Sequence, residues 1–318
     1  MIHRILVPLD GSALAEQSLP QAAALAKACD AEVFLLRVLE PQVSEGGVDL
    51  LSWRLARAEA GAYVGKLAKR LGEQGVRATP LTAEGRAAEE ILKTARERAV
   101  ELMVVCSHGR GGKSRFHLGG TAQKVVSGAE VSLLIVRASD SPREIAAGPG
   151  RPRVMVPLDG SQRAQWALCL AASIARAWQG EILLVHVVET RPLQGQAPPS
   201  PEEQELLRKL VSRDRRIAEG YLADTESLLK SSGVAVRTLL AESPHVAQTL
   251  NQMAMDEKAA MIVVSAHGCS GAAPWRYGNV ADRLIAYGDV PLLIFQDLPL
   301  HGEAEAEAPA RLAALAGT

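Results

Sequence analysis

Short apolar runs alternate with longer amphipathic segments along the first half of the 318-residue chain. We predict a strand for each of five apolar runs, at residues 5–9, 32–39, 76–81, 102–106 and 132–136. Strands that are apolar along most of their length and alternate with helices are typical of a parallel sheet covered on both faces. The first half of the chain is therefore predicted to be an α/β domain.

The segments between these runs have the spacing of amphipathic helices. We predict three of them over residues 12–29, 87–99 and 121–128. Before the third strand, Leu51, Leu55, Ala58 and Ala62 recur at intervals of four, three and four residues, which marks one face of a further helix.

The whole pattern occurs twice. RILVPLDGS begins at Arg4 and RVMVPLDGS begins at Arg153, and later VVCSHG at Val104 is matched by VVSAHG at Val263. Order, spacing and residue type agree between the copies, so we infer a tandem duplication. The sequence thus predicts two tandem, doubly wound, five-stranded parallel sheets of the Rossmann-like or flavodoxin-like type.

We place the first domain at residues 1–140, a linker at 141–152 and the second domain at 153–298. The second copy carries extra residues, mostly in the Pro- and Gln-rich stretch 191–201. Residues 299–318 lack a strand pattern, and we expect this tail to be disordered.

Composition and charge narrow the function classes. Lys plus Arg total 35 and Asp plus Glu total 36. This balance argues against nucleic-acid binding through the overall electrostatic field of the protein. Charges interrupt every long apolar stretch, so we expect no membrane span. The four cysteines form no CxxC pair, which fits a reducing cytoplasm. We expect a cytoplasmic protein with neither nucleic acid nor membrane as a partner.

Asp10-Gly11-Ser12 follows the first strand and recurs as Asp159-Gly160-Ser161. Ligands of open α/β sheets bind at the carboxyl ends of strands, so Asp10 is a candidate to contact the sugar or base of a nucleoside. Asp and Ser are also good helix caps, and capping alone explains the motif equally well.

The loop after the fourth strand is rich in glycine and basic residues. Its glycines would let backbone amides face an anion, and a helix N-terminus follows at Gly119-Gly120-Thr121. A solvated basic surface loop is the alternative. The motif GxxxxGK[ST] of a P-loop would need glycine at Ser107, so we do not expect a P-loop NTPase here. His108 is equally suited to contact phosphate or to hold the loop.

ILVPLDGS opening an α/β domain, a Ser-His-Gly after the fourth strand, a basic loop, Gly-x-Thr and a closing LLIV strand resemble the universal stress protein family. The resemblance covers both copies. It implies an adenine nucleotide alpha hydrolase-like fold whose two domains pair through their last strands, at residues 133–136 and 292–295. Some members of the family bind ATP through the strand-one Asp, a backbone group of strand two and a G-x2-G-x9-G-[ST] loop.

Carried over to this chain, the resemblance implies a nucleotide site in the first domain. Cys106 stands where the first loop glycine is expected and Gly120 where Ser or Thr is expected, with Thr121 one position later. The candidate residues are Pro8, Leu9, Asp10, Gly11, Ser12, Val38, Cys106, His108, Gly109, Arg110, Gly112, Lys113, Arg115, Gly119, Gly120 and Thr121. A weaker site in the second domain would use Asp159, Ser161, Val187, Gly268, Gly278 and Asn279.

We therefore expect a stress-response sensor that binds ATP or another adenine nucleotide, with or without Mg²⁺, and that exists as a monomer or a homodimer. The alternative is a nucleotide-free scaffold of paired domains that acts through protein interaction. No catalytic motif names a general base, so at most slow ATP hydrolysis is expected.

Overall fold

The computed structural model describes residues 2–41, 50–111, 118–138, 151–190, 200–268 and 276–296. The chain divides into two compact units. The first lies within residues 1–149 and 291–296, and the second within residues 150–290.

The first unit is a parallel sheet whose strand order reverses once. Its elements are β1 (Arg4–Leu9), α1 (Ala13–Glu16), α2 (Leu19–Cys29), β2 (Glu32–Leu39), α3 (Leu50–Glu73), β3 (Ala78–Glu84), α4 (Ala87–Glu97), β4 (Leu102–Cys106), α5 (Gly120–Gly128) and β5 (Ser132–Val136). The parallel strands lie in the order β3-β2-β1-β4-β5. The chain moves outward from β1 to β3 and then returns to the other side of β1, which opens a crevice at the carboxyl ends of β1 and β4.

The second unit repeats this plan. Its elements are β6 (Arg153–Pro157), α6 (Gln162–Ala177), β7 (Glu181–Glu189), α7 (Pro201–Ser231), β8 (Ala235–Ser243), α8 (Val246–Asp256), β9 (Met261–Ser265) and α9 (Asn279–Tyr287), and its parallel strands lie in the order β9-β6-β7-β8. The last strand, β10 (Leu292–Phe295), runs antiparallel beside β5 in the sheet of the first unit, with Leu293 opposite Leu134.

The core is aliphatic and is covered on both faces of the sheet. Successive residues of β1 and β4 are buried, including Ile5, Leu6, Leu102 and Met103 at 0% exposure. A strand that is buried on both sides needs no alternation of polar residues, which is why these apolar runs stand out in the sequence. Among the residues that the structure describes, no helix is long and apolar enough to cross a membrane.

The helix predicted over residues 12–29 is wrong, because two helices occupy that segment. α1 ends at Glu16 and α2 begins at Leu19, with Pro20 in its first turn. Proline has no N–H, and its ring would clash with the carbonyl four residues earlier, so the helix cannot run through it. The second copy has Cys169 at the position of Pro20, and α6 is continuous there.

The helix predicted from Leu51, Leu55, Ala58 and Ala62 is present as α3, but the face that these residues mark is exposed. Leu51 and Leu55 are 76% and 60% exposed, and Ala58 and Ala62 are exposed as well. The buried residues of α3 start at Ala60 and lie in its C-terminal half: Ala60, Val64, Leu67, Ala68 and Leu71. Apolar periodicity identifies a helix, but it does not say which of two apolar faces meets the sheet.

Two leucines of α3 test this assignment. Leu67 is 4% exposed, so Leu67→Ala should lower the free energy of unfolding by about 2–5 kcal/mol. Leu55→Ala, the matched change on the exposed face, should alter it by no more than about 0.5 kcal/mol. Urea unfolding of both variants measures the difference, and equal losses would contradict the burial described for α3.

Candidate functional site

A cavity of about 1170 Å³ opens at the carboxyl ends of the strands of the first unit. Three segments of the predicted site line it: the end of β1 with the turn that follows, the end of β2, and the loop between β4 and α5. The predicted residues in the lining are Pro8, Leu9, Asp10, Gly11, Val38, Cys106, His108, Gly109, Arg110, Gly119, Gly120 and Thr121. Ser12 lies beside the cavity and is hydrogen-bonded to Asp10.

Asp10 ties the first strand to the loop that follows β4. Its Oδ1 accepts hydrogen bonds from the backbone N–H of Ser12 at 2.9 Å and from the Ser12 hydroxyl at 2.5 Å. Its Oδ2 accepts from the backbone N–H of Arg110 at 2.8 Å. Burial by itself raises the pKa of Asp10, but these hydrogen bonds and the Arg37 guanidinium outweigh it, so the pKa lies below its usual range. The carboxylate is ionised at neutral pH.

The capping role left open for this motif belongs to Ser12. The Ser12 hydroxyl accepts from the backbone N–H of Ala15 at 3.1 Å and so caps α1, whereas Asp10 holds the Ser12 hydroxyl and reaches across to the loop. Asp10 therefore does more than start a helix, because it fixes the position of Arg110 in the cavity wall.

Gly109 is required by the position of Asp10. A Cβ on Gly109 would lie 2.1 Å from Oδ2 of Asp10, far inside ordinary contact distance. Gly268 has the same relation to Asp159, at 2.3 Å. Gly120 differs, because a Cβ there would meet no atom within 4 Å. Gly109 is thus required because a side chain there would clash with the Asp10 carboxylate, whereas a side chain at Gly120 would meet open space.

The N-terminus of α5 lines the same cavity. Gly119 is the N-cap residue of α5, and no side chain caps the helix there. The N–H of Gly119 donates a hydrogen bond to the Ser107 carbonyl at 2.8 Å. The first turn of α5 holds no acidic residue. The first amides of a helix carry partial positive charge, so those of Gly120 and Thr121 form a wall suited to an anion.

Cys106 fits beside the cavity although it stands in place of the expected glycine. Its side chain is buried, and its thiol donates to the carbonyl of Leu14 at 3.0 Å. Burial raises the pKa of Cys106 to about 11, so the thiol is protonated at neutral pH. His108 is buried as well, with Nδ1 within 3.0 Å of the Ser107 hydroxyl, which holds the ring under the loop.

β2 extends past the end of β1 at the cavity. The pairing of β1 with β2 ends at Leu9 and Arg37, whereas the pairing of β2 with β3 continues to Leu39. Val38 therefore lies at the cavity edge beyond the end of β1. Val38 is the position at which the resemblance implies a backbone contact with the nucleotide.

Sequence reasoning missed one wall of the cavity. Arg37, Trp53 and Tyr63 line it, together with Ile91 of α4. The Tyr63 hydroxyl donates to Oε1 of Glu16 at 3.1 Å, and burial raises the pKa of Tyr63. A signal was present in the sequence, since two of the few aromatic side chains lie on one helix ten residues apart. It could not be used without knowing that α3 borders the site.

Gly112, Lys113 and Arg115 lie outside the described residues, and their part in the site stays a prediction. Within the described ranges, no three His, Cys, Asp or Glu side chains come together in a way that could hold a metal ion.

A model of the universal stress protein family matches residues 1–137 and again residues 150–296. The chain belongs to the universal stress protein family. A universal stress protein of Methanocaldococcus jannaschii is 32% identical over 142 residues, which are 43% of this chain and 83% of the relative. YxiE, a universal stress protein of Bacillus subtilis, is 32% identical over 148 residues, 43% of this chain and all of the relative.

Solved structures of universal stress proteins share the fold of this chain. One from Archaeoglobus fulgidus has a TM-score of 0.65 at 18% identity and covers 92% of this chain and 98% of its own. One from Pseudomonas aeruginosa, described as a putative universal stress protein, has a TM-score of 0.63 at 17% identity and covers 100% of this chain and 98% of its own. The predicted tandem α/β fold is confirmed.

The second universal stress protein repeat keeps part of the site. The backbone N–H of Ser161 donates to Oδ1 of Asp159 at 3.0 Å, and the Ser161 hydroxyl caps α6. The backbone N–H of Gly278, the N-cap residue before Asn279, donates to the Ala266 carbonyl at 2.8 Å. A cavity of about 1290 Å³ includes Asp159 and His186.

That second cavity is built differently from the first. It extends along α7, past residues such as Leu207, Val211 and Tyr221. Ser161, Val187, Gly268, Gly278 and Asn279, the other residues predicted for a second site, are not in its lining.

Proposed function

We propose that this universal stress protein binds ATP or a related adenine nucleotide in its first unit and acts as a stress-response sensor. One observation carries the proposal: an ionised Asp10, the loop at Gly109 and the N-terminus of α5 converge on a single cavity. Ligand sites commonly have volumes of about 300–1,000 Å³, so about 1170 Å³ leaves room for a nucleotide.

Each wall of the cavity suits one part of a nucleotide. Val38, Ile91 and Trp53 offer apolar and aromatic surface to a base. The Asp10 carboxylate accepts hydrogen bonds and can hold sugar hydroxyls. The amides of Gly120 and Thr121 in the first turn of α5 attract phosphates. Because the described residues hold no ready metal cluster, Mg²⁺ would be bound mainly through the phosphates of ATP.

The side chains at the cavity favour binding over turnover. The Cys106 thiol is protonated and is directed at the Leu14 carbonyl, so it is not poised as a nucleophile. The Nδ1 atom of His108 is engaged by the Ser107 hydroxyl. We therefore propose a sensor that reports nucleotide by binding it, with at most slow hydrolysis.

The cytoplasmic location that we propose suits a chain whose described cysteines form no disulfide. Cys29, Cys106 and Cys169 are free, and burial raises the pKa of each, which protects thiols from oxidation. A homodimer stays a prediction of the resemblance.

Two measurements test the proposed function. Denaturing the purified protein and analysing the supernatant should release an adenine nucleotide, or titration of nucleotide-free protein with ATP should give saturable heat. If no nucleotide is recovered and millimolar ATP gives no heat, the proposal is wrong and the nucleotide-free scaffold takes its place.

A further inference from the structure

Two guanidinium groups converge over Gly11 in the first unit. Arg37 reaches the site from the end of β2, where its Nη1 donates to the Leu9 carbonyl at 3.3 Å. Gly11 has φ +79°, and a Cβ there would lie 3.1 Å from Nη2 of Arg110 and 3.8 Å from Cζ of Arg37. The glycine therefore leaves a space that both cations border.

The electrostatic surroundings of Arg37 include one carboxylate and a second guanidinium. Burial lowers the pKa of Arg37, and the neighbouring charge of Arg110 lowers it further. Among the described residues, Asp10 is the carboxylate whose charge raises the pKa of Arg37. Asp10 already accepts three hydrogen bonds, two from Ser12 and one from the Arg110 backbone. The carboxylate that acts on Arg37 is thus already engaged, and a second guanidinium lies beside it, which favours a further anion between the two guanidiniums.

We propose that Arg37 and Arg110 together bind one phosphate group of the nucleotide over Gly11, so that Arg37 makes the first unit selective for phosphorylated over unphosphorylated nucleosides. This inference rests on the proposed function. A planar guanidinium matches two phosphate oxygens at once, and two of them from different segments can hold one group from two sides. The amides at the start of α5 would hold the remaining phosphates.

In the second unit, the position equivalent to Arg37 holds a histidine, which has no permanent charge. His186 lies 149 residues after Arg37, and its ring lies near the backbone of Leu158, the counterpart of Leu9. Burial lowers the pKa of His186, so its imidazole is neutral at pH 7. Arg37→His therefore gives the first unit a side chain that this chain already accommodates at the equivalent place.

The test compares adenosine, AMP, ADP and ATP by calorimetry in full-length wild-type protein and variants. Arg37→His should weaken ATP binding at least about tenfold and change adenosine binding by less than about twofold, since a charge-assisted contact is lost only to the phosphate. Arg37→Lys, which keeps the charge but not the planar fork, should lose less. Arg77→Gln should leave all four affinities unchanged, because Arg77 precedes β3 at the amino ends of the strands, whereas the cavity lies at their carboxyl ends, and it pairs with Asp30.

Arg110→Gln repeats the test at the second guanidinium, which is the exposed one of the two. Melting temperatures measured without ligand show whether each variant folds. Loss confined to the phosphorylated ligands in either variant supports the inference. Equal weakening of adenosine and ATP, or no change in either, overturns it while the nucleotide site stands. Wild-type protein that binds none of the four ligands overturns the proposed function itself.

Discussion

Asp10→Ala should abolish the rise in melting temperature that saturating ATP gives the wild-type protein. The change removes the acceptor for sugar hydroxyls, and it also frees the Arg110 backbone N–H that positions the loop. A ligand at about 100 times its Kd stabilises a protein by about 2.7 kcal/mol, and this increment should disappear. Without ligand, the variant should lose about 1–2 kcal/mol from the broken hydrogen bonds. Differential scanning fluorimetry with and without ATP measures both effects.

Asp159→Ala is the matched control in the second repeat. It removes the carboxylate that accepts from the Ser161 backbone N–H and should lower stability without ligand by a similar amount. The shift caused by ATP should persist, because the proposed site lies in the first unit. An Asp10→Ala protein that keeps the full ATP shift would contradict the nucleotide site and favour the scaffold alternative.

Gly109→Ala is expected to disable the same site from the other side of the contact. The added Cβ would lie 2.1 Å from Oδ2 of Asp10, so the carboxylate must move away. Three hydrogen bonds hold Asp10 in place, and its displacement should cost about 2–4 kcal/mol of the free energy of unfolding. The ATP-dependent shift should be lost with it. Urea unfolding and the same fluorimetry measure the two losses.

Gly120→Ala is the control for the general effect of replacing a glycine by alanine. No atom lies within 4 Å of the added Cβ, and residue 120 is the first residue of α5. Alanine is a better helix former than glycine, so stability should stay the same or rise by up to about 1 kcal/mol. A Gly109→Ala protein as stable as the Gly120→Ala protein would show that the close contact with Asp10 is easily relieved.

The strands that are buried on both faces were predictable, because such positions are filled by apolar residues. β4 and β5 occupy residues 102–106 and 132–136, as the apolar runs predicted, because both are buried on both faces. The helices were less predictable. Pro20 splits the first one for a reason that was visible in the sequence, whereas the sequence did not show that Leu51 and Leu55 of α3 are exposed.

Part of the candidate site was likewise predictable from the sequence, and part of it was not. Asp10 and Gly109 could be named from the sequence through the strand-end position and the family resemblance. Their dependence on each other could not, since they lie about a hundred residues apart and meet only when β1 and β4 pair. Arg37 escaped notice because a charged residue within a strand pattern is normally a solvent-facing one.

The sequence by itself determined the duplication, the α/β class, the buried strands and the family, because each depends on local patterns of apolar and turn residues that recur along the chain. Only the tertiary structure decided which face of α3 covers the sheet, which glycine is sterically required, and that Arg37 and Arg110 border one space over Gly11. These features depend on distances between segments far apart in sequence, and periodicity carries no information about such distances.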